Sequence, residues 1–137
     1  WKTQYWIREI MNRMYRNNID GLCGNDDCGQ MSAWYVLSAM GFYPVCPGTD
    51  QYVIGAPYLP YMKLTLENGK ELVIKADKVS DKNRYVKSVK LNGKPYHKAF
   101  IGQQDIMNGG ELTFEMSSQP NKQRIFKGEN RPYSLSE

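Results

Sequence analysis

The sequence predicts an α+β fold: two N-terminal helices, then an antiparallel sheet or small sandwich of about six strands. Three observations predict it. Apolar residues recur at helical spacing up to Met40. From Cys46 onward the apolar period falls to two. Asn-Gly pairs at 68–69 and 92–93 then punctuate the alternating stretches, as hairpin turns do.

The first helix spans Trp1 to Arg16. Trp6, Ile7, Ile10, Met11, Met14 and Tyr15 make a broad apolar face. Arg13 and Arg16 near its end suit the helix dipole, and Asn17, Asn18, Asp20 and Gly21 stop it. The second helix begins around Asp27 or Gly29 and runs to Met40. It is apolar nearly all round, with Ser32 and Ser38 as small polar exceptions, which predicts burial between other elements. Gly41 closes it and Pro44 forbids continuation. Two helices with this much apolar surface read as a hairpin from a larger helical assembly.

A short strand follows at Gln51 to Gly55. Tyr61 to Leu66 and Glu71 to Ala76 alternate on either side of Asn68-Gly69, where a two-residue hairpin is expected. Arg84 to Leu91 is a further strand, and Pro95 to Phe100 runs back after Asn92-Gly93. Gln103 to Met107 reads as one helical turn, and Glu111 to Met116 as the last strand. From Ser117 the tail is polar, ordered in part by Ile125, Phe126 and Tyr133. The boundary between the helical part, 1–44, and the β part, 45–137, falls after Pro44.

Composition narrows the function. The 137 residues carry 18 basic and 14 acidic side chains, net +4, but the lysines are scattered along strands and loops. That speaks against a nucleic-acid surface, which needs a dense basic patch or a motif. No stretch approaches 18 apolar residues, so no membrane span is expected. The chain opens at Trp1 without a methionine, which reads as a cut from something longer, and shows no signal peptide. Three cysteines, Cys23, Cys28 and Cys46, make no complete disulfide framework, and with His97 the lone histidine a zinc site is disfavoured. No metal ligands are assigned. No Ser-His-Asp or Cys-His arrangement is evident, and the glycine-rich stretch lacks the lysine of a phosphate-binding loop.

Chemistry concentrates in Gly21 to Tyr35, GLCGNDDCGQMSAWY. Asp27, three residues before Gln30, fits a helix-capping pattern, which leaves Asp26 free to point elsewhere. Equally, either carboxylate can act as a general base or hold a hard cation. Asn25 suits a turn and can also hold a sugar hydroxyl. Trp34 can stack on a sugar or pack in the core.

The same stretch, extended to GLCGNDDCGQMSAWYVLSAMGFYPVCPGTDQYVIGAP at 21–57, resembles the C-terminal part of glycoside hydrolase family 92, the calcium-dependent exo-alpha-mannosidases, in a Bacteroides-like form. LENGKELVIKA, VKLNGKPY, DIMNGGELTFEM and SQPN extend the resemblance over nearly the whole chain. It implies a parent with an N-terminal β-sandwich and an (alpha/alpha)6 catalytic barrel, whose C-terminal end supplies residues 1–44. It implies removal of terminal mannose from α-mannosides, including N-glycans, with inversion. It implies Ca2+ in the full-length enzyme, none bound by this segment alone, and a periplasmic or extracellular parent. Carried onto this sequence, the resemblance makes Asp27 the favoured base and Asp26 a supporting carboxylate, with the order of the two open. Asn25 and Gly24 fall in the substrate-binding turn. The family's general acid and its GNEP-type calcium motif lie upstream and are absent here, so the excised segment is expected to be inactive. The expected partners are mannose-containing glycans and the remainder of the parent chain; the exposed helices also predict self-association of the excised piece. The competing expectation is a non-catalytic structural or carbohydrate-binding β domain.

Overall fold

The computed structural model describes residues 1–135. The α+β class holds: the helices α1 (Lys2–Met14) and α2 (Gln30–Met40) precede the strands. Among the described residues there are eight strands: β1 (Phe42–Tyr43), β2 (Gln51–Ile54), β3 (Tyr61–Thr65), β4 (Glu71–Asp77), β5 (Tyr85–Leu91), β6 (Lys94–Pro95), β7 (Phe100–Gly102) and β8 (Gly110–Ser117). A short helix α3 (Gln103–Asn108) precedes β8. The strands form two sheets, ordered β1-β2-β7 and β3-β4-β8-β5-β6.

This departs from the expectation in three places. First, β8 inserts between β4 and β5 and pairs with β4 in parallel, Leu72 opposite Gly110 through Asp77 opposite Glu115. Turn residues report only local, antiparallel reversals, so a parallel pair closed across a long connection leaves no such signal. Secondly, Pro95 to Phe100 is not one strand. Its start, β6, pairs with β5, while β7 belongs to the other sheet and pairs with β2. Thirdly, the two Asn-Gly turns differ. Asn92 (φ 51°) and Gly93 (φ 78°) are both left-handed and form the two-residue turn between β5 and β6. Between β3 and β4 only Gly69 is left-handed, and the loop is longer. There Asn68 spends its side chain elsewhere: Nδ2 donates to the Met107 carbonyl at 2.7 Å and Oδ1 accepts the Lys70 N–H at 3.0 Å.

Period-two patterning builds the core. Leu72, Ile74 and Ala76 of β4 and Leu112, Phe114 and Met116 of β8 all point to the buried face. They meet Phe42, Ile101 and Ile106 from the smaller sheet and α3, with Leu37 and Met40 of α2 packed alongside. Helix α2 closes on Gly41, whose φ of 97° excludes most side chains and whose N–H reaches Leu37 and Ser38 carbonyls. The predicted burial of α2 is not met. Only Ser38 and Ala39 are buried, and Val36 is 50% exposed.

Helix α1 docks on the larger sheet through polar side chains. Arg84 Nη1 donates to Glu9 at 2.7 Å, and the Val86 N–H to Gln4 Oε1 at 3.0 Å. Arg8, 3% exposed, donates to the Pro57 carbonyl at 2.8 Å and lies over the Tyr58 ring at 4.5 Å. This pays its burial with a hydrogen bond and a cation–π contact. In the tail, Phe126 is half-buried, while the Ile125 and Tyr133 side chains are 73% and 52% exposed; Tyr133 is tied down by its backbone N–H, which donates to Gln51 Oε1 at 2.8 Å.

A pH dependence follows from Tyr96. Its hydroxyl donates to Asp105 Oδ2 at 3.1 Å, and burial, then the Asp105 charge and hydrogen bond, hold the phenol well above its ordinary 10.0. The folded state therefore keeps a proton that the unfolded chain loses. Stability is present in full below pH 10 and falls as pH rises above it. Denaturation followed between pH 9 and 11.5 should show a downward slope in the native chain that is shallower in Tyr96→Phe.

Candidate functional site

The candidate site is the loop joining α1 to α2. Helix α1 ends at Met14, two residues before Arg16, because Tyr15 turns extended (φ −121°, ψ 135°) and bridges Leu22. The Arg16 N–H donates to the Gly21 carbonyl at 2.8 Å. Gly21 is buried, and a Cβ there would lie 2.1 Å from the Arg16 carbonyl oxygen, so this crossing admits glycine alone.

Beyond it, Asp27 (φ 46°), Cys28 (φ 59°) and Gly29 (φ 90°) form a run of left-handed residues leading into α2. Non-glycine residues adopt this conformation at a cost of about 1–2 kcal/mol each, although aspartate tolerates it better than most. Two such residues in succession at a candidate site are a conformational sign of function.

The run redistributes the carboxylates and corrects the capping expectation. Gly29, not Asp27, is the N-cap, and it offers no side chain to the helix. Asp26 does that work from outside the helix. Its Oδ1 accepts the Ser32 N–H at 2.9 Å, and its Oδ2 accepts the Ser32 hydroxyl at 2.9 Å. A left-handed Asp27 backbone turns its own side chain away from the helix start, so the preceding residue reaches the orphan N–H instead. Asp26 is half-buried and Asp27 exposed. The Asp27 carboxylate makes no hydrogen bond or ion pair among the described residues, while its backbone N–H donates to Asn25 Oδ1 at 3.2 Å. Gly24, also exposed, has open space around it apart from Met31 Sδ at 3.9 Å from a built Cβ.

Aromatic side chains support the loop from below. The Tyr15 hydroxyl donates to the Met31 carbonyl at 3.0 Å, and its ring stacks on Trp34 at 5.7 Å and meets Tyr35 at 4.8 Å. Burial first, then nearby Cys23 and Asp26, push the Tyr15 phenol above its ordinary value. Trp34 thus has one face committed to packing. Ser32 borders a hollow of about 500 Å³ that it shares with Tyr15, Asn17, Asn18 and Tyr35; Asp26 and Asp27 lie outside that lining.

The other sequence candidates lie apart. Cys23, Cys28 and Cys46 are free thiols. His97 is exposed and lines a separate cleft with Tyr96 and Arg124. Ser32 and Tyr15 are the residues that sequence reasoning missed. An acid six residues ahead of a first-turn serine was the available signal for Ser32; nothing in the spacing marked Tyr15.

The family model described as the glycosyl hydrolase family 92 catalytic domain matches residues 1–118. The chain belongs to glycosyl hydrolase family 92. Among solved family 92 structures it superimposes on the α-mannosidase BT3965 from Bacteroides thetaiotaomicron, in complex with mannoimidazole, with a TM-score of 0.92 and 47% identity. That match covers 98% of this chain and 18% of the other. The inverting mannosidase BT2199 of the same species gives 0.91 and 42%, over 100% of this chain and 19% of that one. An uncharacterized secreted glycosidase of Arthroderma benhamiae is 30% identical over 108 residues, 77% of this chain and 14% of its own length. The chain therefore spans under a fifth of each of these relatives.

Proposed function

We propose that this chain supplies the base side of the active site of an α-mannosidase. The parent enzyme would remove terminal mannose from α-mannosides, α-1,2-linked or on N-glycans, by inverting hydrolysis. One observation carries this: of two adjacent carboxylates, Asp26 is held at both oxygens by Ser32 while Asp27 is exposed and unpaired. A general base needs a carboxylate free to receive a proton. Asp27 takes the proton of the water as that water attacks the anomeric carbon and the bond to the leaving oxygen breaks. Asp26 stands beside it as a supporting carboxylate, and Asn25 and Gly24 form the turn against the sugar.

An inverting enzyme also needs an acid on the opposite face, about 6.5–9.5 Å from the base. That acid belongs to the rest of the parent. The calcium site would belong there too, since the GNEP-type motif that the resemblance associates with it does not occur in this sequence. Residues 1–44 would be the end of a larger helical assembly, and 45–137 the β region beside it. Trp6, Val36 and Met14, 61%, 50% and 49% exposed, are helix residues on which the rest of the parent would pack. A parent of this kind would work on glycans in the periplasm or outside the cell.

Alone, the chain would be a structural portion without turnover. Two observations favour the wider non-catalytic reading, a structural or carbohydrate-binding β unit: the core is built mainly by the strands, and the carboxylate pair sits outside the lining of the neighbouring hollow. The purified 137-residue chain and its intact parent should be assayed on an aryl α-mannoside. Turnover by the parent alone is the expected result, and robust turnover by the isolated chain would refute the division of the site. Mannose or mannobiose binding by the isolated chain that survives loss of both Asp26 and Asp27 would favour the carbohydrate-binding reading.

A further inference from the structure

Ser32 occupies the third position of α2 and is exposed, so packing does not explain a polar residue there. It commits both of its donors, backbone N–H and hydroxyl, to the two oxygens of one carboxylate, each at 2.9 Å. That carboxylate, Asp26, lies six residues back, across the left-handed run at 27–29. The Asp26 carbonyl also accepts the Met31 N–H at 3.3 Å. The loop is thus tied to the first turn of α2 on one side of Asp27 and by Asn25 on the other.

We propose that Ser32 is a positioning residue for the base. Through Asp26 it fixes the backbone that presents Asp27, and it keeps the Asp26 carboxylate from turning toward the water that Asp27 is to activate. This rests on the assignment of Asp27 as base. Hydrogen bonds to both oxygens of Asp26 fix where that carboxylate sits relative to its neighbour. Displacing a reacting group by a fraction of its contact distance costs turnover more than affinity.

A helix cap alone would make Ser32 matter to stability but not to the chemistry of the folded protein. The intact enzyme carrying this segment distinguishes the two. In Ser32→Ala, kcat should fall on the order of tenfold while KM stays within about twofold. Ser32→Cys, close in size but a weak donor, should lose kcat in the same way, and it serves if the alanine variant folds poorly. Ser32→Thr, which keeps the hydroxyl, should recover most of kcat. The proposal is overturned if kcat is unchanged in Ser32→Ala or Ser32→Cys while only the melting temperature drops, or if Ser32→Thr is as impaired as alanine. Asp27→Asn is measured alongside: full activity there sinks the base assignment itself, whereas an inactive Asp27→Asn with an unaffected Ser32→Ala sinks only the role of Ser32.

Discussion

Replacing Asp27 with Asn in the intact enzyme is expected to lower kcat by about 10²–10⁴-fold, the usual worth of a general base. The fold should not notice. Asp27 is exposed, and its carboxylate holds no partner whose loss would leave a buried group unsatisfied. Its left-handed φ of 46° is one that Asn adopts at least as readily. Asp26→Asn should behave differently. It keeps one acceptor oxygen for Ser32 and puts an amide where the second stood, so the start of α2 loosens. Stability should fall by about 1 kcal/mol, and kcat less than in Asp27→Asn. Steady-state kinetics with thermal melts on both variants check this. The opposite pattern, with activity surviving in Asp27→Asn and lost in Asp26→Asn, would exchange the roles of the two carboxylates.

Gly21→Ala is the second large expected effect, and it acts on the scaffold. The added methyl would sit 2.1 Å from the Arg16 carbonyl oxygen and 2.9 Å from that of Asn18. Both are backbone atoms, so no side-chain rotation relieves the contact. The turn must open, and the bond from the Arg16 N–H to the Gly21 carbonyl goes with it. Overpacking and the lost hydrogen bond together should cost about 3 kcal/mol. Because the same turn delivers residues 24–29 to the start of α2, turnover should fall as well, even well below the melting temperature. Gly48→Ala is the matched control: nothing lies within 4 Å of a Cβ built there. Its left-handed φ of 86° still costs something, so its melting point should drop modestly with turnover intact.

Much of the fold was legible in the sequence because its signals are local. Helix α2 could be read to its last residue, since Gly41 and Pro44 are local stops. The alternation of Leu72, Ile74 and Ala76 announced β4 and its buried face. The parallel pairing of β4 with β8 was not legible, because register across a long connection is fixed by what the completed core can bury. The site was legible in part. The resemblance to family 92 pointed to Asp26 and Asp27, but spacing alone assigned the cap to Asp27. That assignment assumed ordinary helical entry. Three consecutive left-handed residues rotate the chain so that Asp26 meets Ser32, and no propensity scale anticipates such a run with only one glycine in it. The exposure of Val36 and Trp6 has a related cause: their apolar pattern predicts burial, and the described residues do not provide the cover.

The central claim, that Asp27 is the carboxylate that activates water, is tested most directly by chemical rescue in the intact enzyme. Azide is a small anion that needs no deprotonation, so it can attack the anomeric carbon from the face the water would use once the base has been cut away. With Asp27→Ala, an aryl α-mannoside and added azide, turnover should rise with azide concentration. The product should be the β-mannosyl azide, formed as the bond to the phenolate breaks. Rescue of Asp26→Ala by azide, with Asp27→Ala unresponsive, would contradict the account.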